Sequence, residues 1–410
     1  MGAAPGIVSS LRICDKGEAA MKTILTKRPR LGHLIPGLLA LGAATFAAGA
    51  HDRDDSILQG LKNIKVLGST VPANGDVNPY GMAEVTHTVG NLRSGHILIS
   101  NFNNGVNQQG TGTTIVDLAP DGSQSLFAAL DATALPGPCP GGLGLTTALV
   151  VLSEGWVIVG SLPTSDGTSP TAQAGCLIVL DSMGKPVETL FGSLINGPWD
   201  MTAFERHGEA KLFVTNVLNG TVAANGQVVN QGTVVRVDLK LSATQMPALE
   251  SLTIIGSGFA ERTDPAALVL GPTGVALSAA CRGSADSDCD DVGRIRLYVA
   301  DTLNNRVTAI ARPLERTTAD GPGVTLSAGG SLNAPLGLIV AADSGHLLTV
   351  NGADGFITEI NQQGKQVANM LIDNSGGPPA GAGALFGLVF DPAKGVYFVD
   401  DASNTLNLLH

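Results

Sequence analysis

The sequence predicts an all-β fold, a six-bladed β-propeller of four-stranded antiparallel blades that is closed by its N-terminal strand. One strand–turn–strand pattern occurs six times, and each copy lies within a unit of four short apolar segments. The composition agrees, because the chain has 53 Gly for turns and only 14% charged residues. The best preserved copy is IRLYVADTLNNRVTAI, Ile295 to Ile310. The other copies begin at His96, Trp156, Leu212, His346 and Val396.

Each unit divides into four strands, A to D. Strand A follows a cluster of small residues, as in NPYGMAEV from Asn78, and strand B is the LYVAD-type segment. An Asx-rich turn leads to strand C, and strand D precedes the next unit. The last unit stops after strand C at His410, while NIKVLGSTVP, Asn63 to Pro72, precedes the first strand A. We therefore expect Asn63–Pro72 to complete the sixth blade, because this pairing removes an open sheet edge.

The N-terminal region has the pattern of an export signal. Basic residues follow Met21, an apolar run covers Leu34 to Ala48, and small residues precede His51. This pattern predicts a signal peptide over residues 21–50, the propeller over residues 51–410, and an extension from a misassigned start codon over residues 1–20. A membrane anchor is the rival interpretation, but its strongly apolar part falls short of the roughly 20 residues that span a bilayer. We expect a bacterial periplasmic or secreted protein with no membrane span after cleavage.

Cysteine usage agrees with export. The predicted mature chain contains Cys139, Cys176, Cys281 and Cys289, and an even count in an exported protein favours disulfides. Cys281 and Cys289 share one connection between strands A and B, which favours their pairing. Cys139 and Cys176 lie at the same end of the second blade, where a second bridge is feasible. Buried free thiols are the alternative.

The charge and the short motifs exclude some partners. The net charge is -11, and no run of Lys and Arg follows residue 50, so we expect no binding to nucleic acid. The histidines and cysteines lack the spacing of zinc ligands. His96 and His346 precede strand B, at the opposite end of the blades from the Asx-rich turns.

The segment Leu297–Arg306 resembles the core of an NHL repeat, hydrophobic–small–Asp–x–x–Asn–x–Arg, although the other copies lack the Arg. The resemblance covers roughly residues 60–410 and implies a propeller that is an interaction module, a secreted ligand binder or, in fewer cases, an enzyme. NGPWD, Asn196 to Asp200, is similar to the EGPxW-type strand start of gluconolactonase-like propellers, with Asn196 in place of Glu. A metal-dependent hydrolase, a lactonase-like enzyme or a lyase is therefore the alternative function. A structural envelope protein is a second alternative.

The D–A and B–C connections lie at the same end of a four-stranded blade, and this Asx-rich face is the predicted site. Asn and Asp recur there because their side chains bond the backbone of tight turns and tolerate left-handed conformations. The alternative interpretation is that some of them converge on a hard cation, for which Ca²⁺ is the candidate because oxygen ligands suit it. The expected partner is a small molecule, a sugar or a protein. The candidate ligand-binding residues are Tyr80, Asn101, Trp199, Asp200, Asn216, Asp301, Asn305, Arg306, Asn351 and Asp401.

Asp200 is the strongest of these candidates. The same column of strand A reads as glycine in the other units, at Gly81, Gly144, Gly274, Gly337 and Gly387. A carboxyl group near the ring axis is unfavourable unless it is paired or contacts a ligand. Asp200 is therefore the predicted centre of a site, beside the flat side chain of Trp199.

Overall fold

The computed structural model describes residues 56–242, 245–278 and 292–410. Within these residues the strands form six antiparallel sheets arranged as the blades of a propeller, as the sequence predicts. The predicted signal peptide, the extension before it and the predicted Cys281–Cys289 pair lie outside the described residues. In the same part of the chain, every helix is too short or too polar to cross a membrane.

The described part of the chain begins with a short helix and the strand that completes the sixth blade. These elements are α1 (Ile57–Gly60) and β1 (Ile64–Ser69). Blade 1 contains β2 (Val77–Glu84), β3 (Ile97–Asn103), β4 (Thr114–Leu118) and β5 (Gln124–Ala129). Blade 2 contains β6 (Leu145–Val151), β7 (Val157–Ser161), β8 (Leu177–Leu180) and β9 (Pro186–Leu190).

Blade 3 is longer than the others because its outer strand continues into a hairpin. It contains β10 (Pro198–Arg206), β11 (Glu209–Asn216), the helix α2 (Thr221–Ala224) in the B–C connection, β12 (Val229–Lys240), β13 (Ala248–Asp264) and β14 (Leu268–Leu270). Blade 4 contains β15 (Pro272–Leu277), β16 (Arg296–Asp301), β17 (Arg306–Ala311) and β18 (Val324–Ala328).

The last two blades complete the ring. Blade 5 contains β19 (Pro335–Val340), β20 (Leu347–Asn351), β21 (Phe356–Ile360) and β22 (Gln366–Leu371). Blade 6 contains β23 (Leu385–Asp391), β24 (Gly395–Asp400), β25 (Thr405–Leu409) and β1. Short 3-10 turns occur at Ala132–Ala134, Ser169–Thr171, Val292–Arg294 and Thr302–Asn304.

The first strand of each blade is innermost, and each inner strand contacts the inner strand of the next blade around the ring. Glycine is required where two inner strands approach most closely. A Cβ atom at Gly337 would collide with the Phe386 carbonyl oxygen, and one at Gly274 would collide with the Leu336 carbonyl oxygen. Asp200 occupies the corresponding position of β10, so blade 3 alone among the six carries a carboxyl group there.

The second blade differs from the predicted alignment. In β6, Leu145 pairs with Ser161 and the next pair is formed by Leu149, four residues later. In β10 the corresponding pairs begin at Pro198 and Met201, three residues apart. The inner strand of blade 2 therefore contains an extra residue, and Gly144 lies before the strand. The expectation that Gly144 shares the column of Asp200 is wrong.

Residues 56–69, which we call the N-terminal segment, contact two blades. Strand β1 pairs antiparallel with β25, from Ile64 opposite Leu409 to Ser69 opposite Thr405. The helix α1 instead docks against Glu359 of blade 5, a fully buried residue. The Glu359 carboxylate accepts hydrogen bonds from the Ser56 hydroxyl at 2.6 Å and from the Ile57 and Leu58 backbone N–H groups at 3.0 Å.

A disulfide joins Cys139 to Cys176 in the second blade, with the two Cα atoms 5.2 Å apart. The bond connects the segment that precedes strand A to the residue immediately before strand C, since β8 begins at Leu177. This result confirms the pairing that the sequence predicts for these two cysteines.

Candidate functional site

The inner strands define two ends of the ring. We call the end where they begin, next to Tyr80 and Trp199, the D–A end, and the end where they finish the A–B end. At the D–A end Tyr80 stacks on Phe386 with ring centroids 3.9 Å apart and on Phe102 at 4.8 Å. Trp199 reaches the same cluster, 6.5 Å from Phe386. Because Trp199 and Phe386 come from opposite blades, this aromatic cluster lies across the ring axis.

The predicted Asn ligands at the D–A end bond to the backbone. Asn216 and Asn351 each accept a backbone N–H from the connection before strand A, at 2.9 and 3.1 Å. Asn101 donates to the Thr70 carbonyl oxygen at 3.1 Å. All three side chains are fully buried. These amides therefore fix the position of the connection that precedes strand A.

In blade 4 the predicted residues form a compact network within one turn. The Arg306 guanidinium donates to the buried Asp301 carboxylate at 2.7 Å, and Asn304 donates to both of its oxygens at 3.0 Å. Asn305 has the left-handed backbone of a turn residue, with φ 47°. Its side-chain oxygen accepts the Ala334 N–H at 2.6 Å. The polar groups that were expected to face a ligand therefore bond within this turn, and Asn305 joins the turn to the connection before blade 5.

Two carboxyl groups at the D–A end are buried with few polar contacts. One oxygen of Asp401 has no hydrogen-bond partner, and burial followed by the nearby charge of Asp400 raises the pKa of Asp401 to about 7. Neither oxygen of Glu261 makes a hydrogen bond of normal geometry. Burial raises the pKa of Glu261 to about 8, although the nearby Asn219 backbone N–H favours the charged form.

Within the described residues, no three His, Cys, Asp or Glu side chains converge so that they could hold a metal ion. The calcium site at the Asx-rich face therefore stays a prediction.

The A–B end contains a cavity of about 260 Å³ along the ring axis, between the inner strands of all six blades. Its wall combines aliphatic and thioether side chains with carboxyl and hydroxyl groups, and its accessible surface is somewhat more polar than apolar. Residues lining it include Met82, Glu84, Thr86, Leu149, Asp200, Met201, Thr202, Glu205, Val275, Leu338, Leu388 and Phe390. Among the predicted site residues, Asp200 alone lines this cavity.

Asp200 lies at the inner end of the cavity, between the inner strands of blades 3 and 4. Its Oδ2 atom accepts the Val275 backbone N–H at 3.0 Å, and the side chain keeps partial exposure toward the cavity. Burial raises the pKa of Asp200 to about 7, although the Val275 and Met201 backbone N–H groups favour the charged form. The carboxyl group is therefore held in place by the backbone and is poorly solvated.

Two further acidic residues of the cavity, Glu84 and Glu205, were not predicted as site residues. Both lie on the parts of β2 and β10 that approach the A–B connections. The Glu205 carboxylate accepts the Ser153 hydroxyl at 2.7 Å and the Ser153 N–H at 3.0 Å. A search of the strand A columns for acidic residues beyond the glycine position would have found both.

The histidines near the A–B end are engaged in pairs on the blades. His346 contacts the Glu359 carboxylate at 2.6 Å, and His96 contacts Asp117 at 2.9 Å. Each histidine comes just before strand B, as the sequence predicts, and its partner lies on strand C. Neither pair lines the cavity.

The fold and the site define a six-bladed β-propeller with aromatic side chains across the axis at the D–A end and a cavity at the A–B end. The chain is similar to the solved structure of a luciferin-regenerating enzyme, with TM-score 0.50 and 12% identity over 84% of this chain and 94% of that one. It is also similar to regucalcin of Agrobacterium tumefaciens, described as a calcium-binding protein, with TM-score 0.48 and 13% identity over 84% of this chain and 93% of that one. For the PQQ-bound aldose sugar dehydrogenase of Streptomyces coelicolor the TM-score is 0.45, with 13% identity over 84% of this chain and 98% of that one.

These similarities concern the fold alone. No protein-family model and no curated protein matches the sequence. The resemblance to NHL repeats thus stays a prediction from the motif at Leu297–Arg306.

Proposed function

We propose that this propeller is an exported binding protein that holds a small molecule in the cavity at the A–B end. One observation carries the proposal: Asp200 places a poorly solvated carboxyl group at the inner end of a cavity of about 260 Å³. Small-molecule sites are concave and contain a few fixed polar groups that orient the ligand. The Asx-rich face contrasts with this, because the Asn216 and Asn351 side chains there bond to the backbone.

Export is supported by the signal-like N-terminus and by the Cys139–Cys176 disulfide, since disulfides persist in oxidising compartments. Sequencing the N-terminus of protein from the exported fraction tests this part. The mature chain should begin at or near His51, and a product that retains residues 1–20 would contradict it.

Two methionines allow binding to be observed directly. Met82 and Met201 line the cavity, whereas Met183 and Met246 are exposed elsewhere. With ¹³C-methyl methionine labelling, a library of small molecules should contain ligands that shift the Met82 and Met201 signals in NMR spectra. Met183 and Met246 should stay unchanged.

A pair of variants controls for binding elsewhere. Thr86 is an exposed residue of the cavity lining, so Thr86→Trp should obstruct the cavity and abolish these shifts. Thr317 is exposed in a C–D connection on the same side of the ring but outside the lining, so Thr317→Trp should retain them. The proposal is wrong if no compound in the library shifts Met82 or Met201, or if Thr86→Trp leaves the shifts intact.

A further inference from the structure

The charged side chains that line the cavity at the A–B end are all acidic in the described part of the chain. Three carboxyl groups line it, those of Asp200, Glu84 and Glu205, and no Lys, Arg or His is among its lining residues in the described part of the chain. Carboxyl groups lining a cleft with low-dielectric walls attract cations and repel anions.

The position of Asp200 fixes where a positive group would bind. Its Oδ2 atom is held by the Val275 N–H at 3.0 Å, so the carboxyl group needs little reorganisation when a ligand arrives. Protein surrounds the group closely enough to disfavour its charged form. A cation that takes the place of lost solvent stabilises such a carboxylate, and the attraction is stronger there than in bulk water.

Within the described residues, no three carboxyl, imidazole or thiol groups converge in the cavity as a metal site requires, so a bare metal ion fits it less well than an organic cation. Met82 and Met201 face the cavity together with aliphatic side chains such as Leu149 and Leu388. These groups offer no oxygen ligands to a hard cation, which prefers an oxygen shell. They offer an apolar surface to carbon atoms, whose burial contributes about 0.8 kcal/mol for each CH₂ group.

We propose that the cavity binds a small organic amine in its protonated form. The ammonium group contacts Asp200 at the inner end, and the carbon body lies against the wall formed by Met82, Met201 and Leu388. This inference rests on the proposed binding function and names the class of its ligand. A neutral alcohol can donate a hydrogen bond to Asp200 but brings no positive charge, and a carboxylate of the same size is repelled.

A matched series of four-carbon compounds tests the inference. The probes are n-butylammonium, n-butanol and butyrate, titrated at pH 8 while the Met82 and Met201 methyl signals are followed. We expect n-butylammonium to bind at least about tenfold more tightly than n-butanol, because hydrogen bonds to charged groups are stronger than neutral ones. Butyrate should bind most weakly.

Asp200→Asn is the decisive variant because the amide keeps the shape of the side chain and can still accept the Val275 N–H. It should reduce the affinity for n-butylammonium to that for n-butanol. Asp401→Asn, at the D–A end, is the control and should leave both affinities unchanged.

The outcomes separate this inference from the proposed function. If n-butanol or butyrate shifts Met82 and Met201 at equal or lower concentration than n-butylammonium, the amine class is wrong while a cavity site remains. If Asp200→Asn does not change the preference, Asp200 does not select the ligand. If none of the three probes shifts the two methyl groups, the amine assignment fails, and the library screen decides the binding function independently.

Discussion

The two ends of the ring are built from the same repeat, yet they differ in what fills the axis. At the D–A end, Tyr80, Trp199 and Phe386 meet across the ring. At the A–B end the inner strands enclose a cavity that contains three carboxyl groups. Large side chains block one end, and smaller and acidic ones leave the other end open.

The comparison also shows what polar residues do at each end. The recurring Asn and Asp side chains of the D–A end are used mainly to fix turns, as Asn216 and Asn351 illustrate. Asp200 does not recur, and it is the residue that reaches a cavity. In a repeat protein, a polar residue shared by many units is explained by the unit itself, whereas a departure in one unit needs a local cause.

The largest effect on stability should come from removing one ring of the aromatic cluster at the D–A end. Phe386→Ala removes a buried ring that contacts Tyr80 and Trp199, so the free energy of unfolding should fall by about 3–5 kcal/mol. Phe390→Ala, on the same strand at the A–B end, removes a partly exposed ring and should lower it by under about 2 kcal/mol. Denaturant titration of both variants measures the difference. Equal losses would show that the D–A end is not the more tightly packed one.

The next largest effect concerns the buried polar contacts of Glu359, whose partner His346 lies near the A–B end. Glu359 is fully buried and accepts bonds from His346 and from the N-terminal segment at Ser56. Glu359→Gln should lower the free energy of unfolding by about 3 kcal/mol, because it leaves buried donors without a charged partner. Asp117→Asn is the matched control, since Asp117 pairs with the more exposed His96 and should lose about 1 kcal/mol or less.

Limited proteolysis provides a second measurement for the same pair of variants. Glu359→Gln should expose the chain near Ser56 to cleavage before the blades are cut, since Glu359 holds α1 in place. Asp117→Asn should be cleaved like the unaltered protein. If the two variants lose equal stability and share one cleavage pattern, Glu359 does not anchor the N-terminal segment.

The fold could be predicted because strand periodicity and turn chemistry are local and are repeated six times. The pairing of Cys139 with Cys176 followed from the same blade alignment, and the structure confirms it. The alignment of the strand A columns failed at Gly144, because the extra residue of β6 lies inside an apolar run where the sequence pattern does not reveal an insertion. Register within a strand depends on its neighbours, which the local sequence does not contain.

The candidate site was predicted less completely. The sequence identified Asp200 as the exception in its column, but it assigned Asp200 to the same face as Tyr80 and Trp199. The blocked end arises because Trp199 and Phe386, far apart in the chain, meet across the axis. That contact depends on the closed ring and on side-chain size, so a repeat pattern alone could not show which end stays open.

The smallest expected effect is a pH dependence of stability that distinguishes Asp200 from the acids of the D–A end. The pKa of Asp200 is raised to about 7, so between about pH 4 and pH 7 the folded protein binds more protons than the unfolded one. Its contribution therefore makes stability fall as the pH rises through this window and level off above it. Asp401, with a pKa of about 7, and Glu261, with one of about 8, act in the same direction.

Substitutions distinguish the contributions of Asp200 and of Asp401 to this pH dependence of stability. Asp200→Asn and Asp401→Asn should each flatten part of the profile, by on the order of 2 kcal/mol between pH 4 and pH 8 once solvent screening is allowed for. Saturating n-butylammonium at pH 8 should then raise the thermal midpoint of the unaltered protein and of Asp401→Asn, because a ligand that binds the folded state stabilises it. Asp200→Asn should show little increase. Parallel pH profiles for Asp200→Asn and the unaltered protein would mean that Asp200 is as well solvated as an ordinary surface carboxylate, and the contrast between the two ends would then lose its chemical basis.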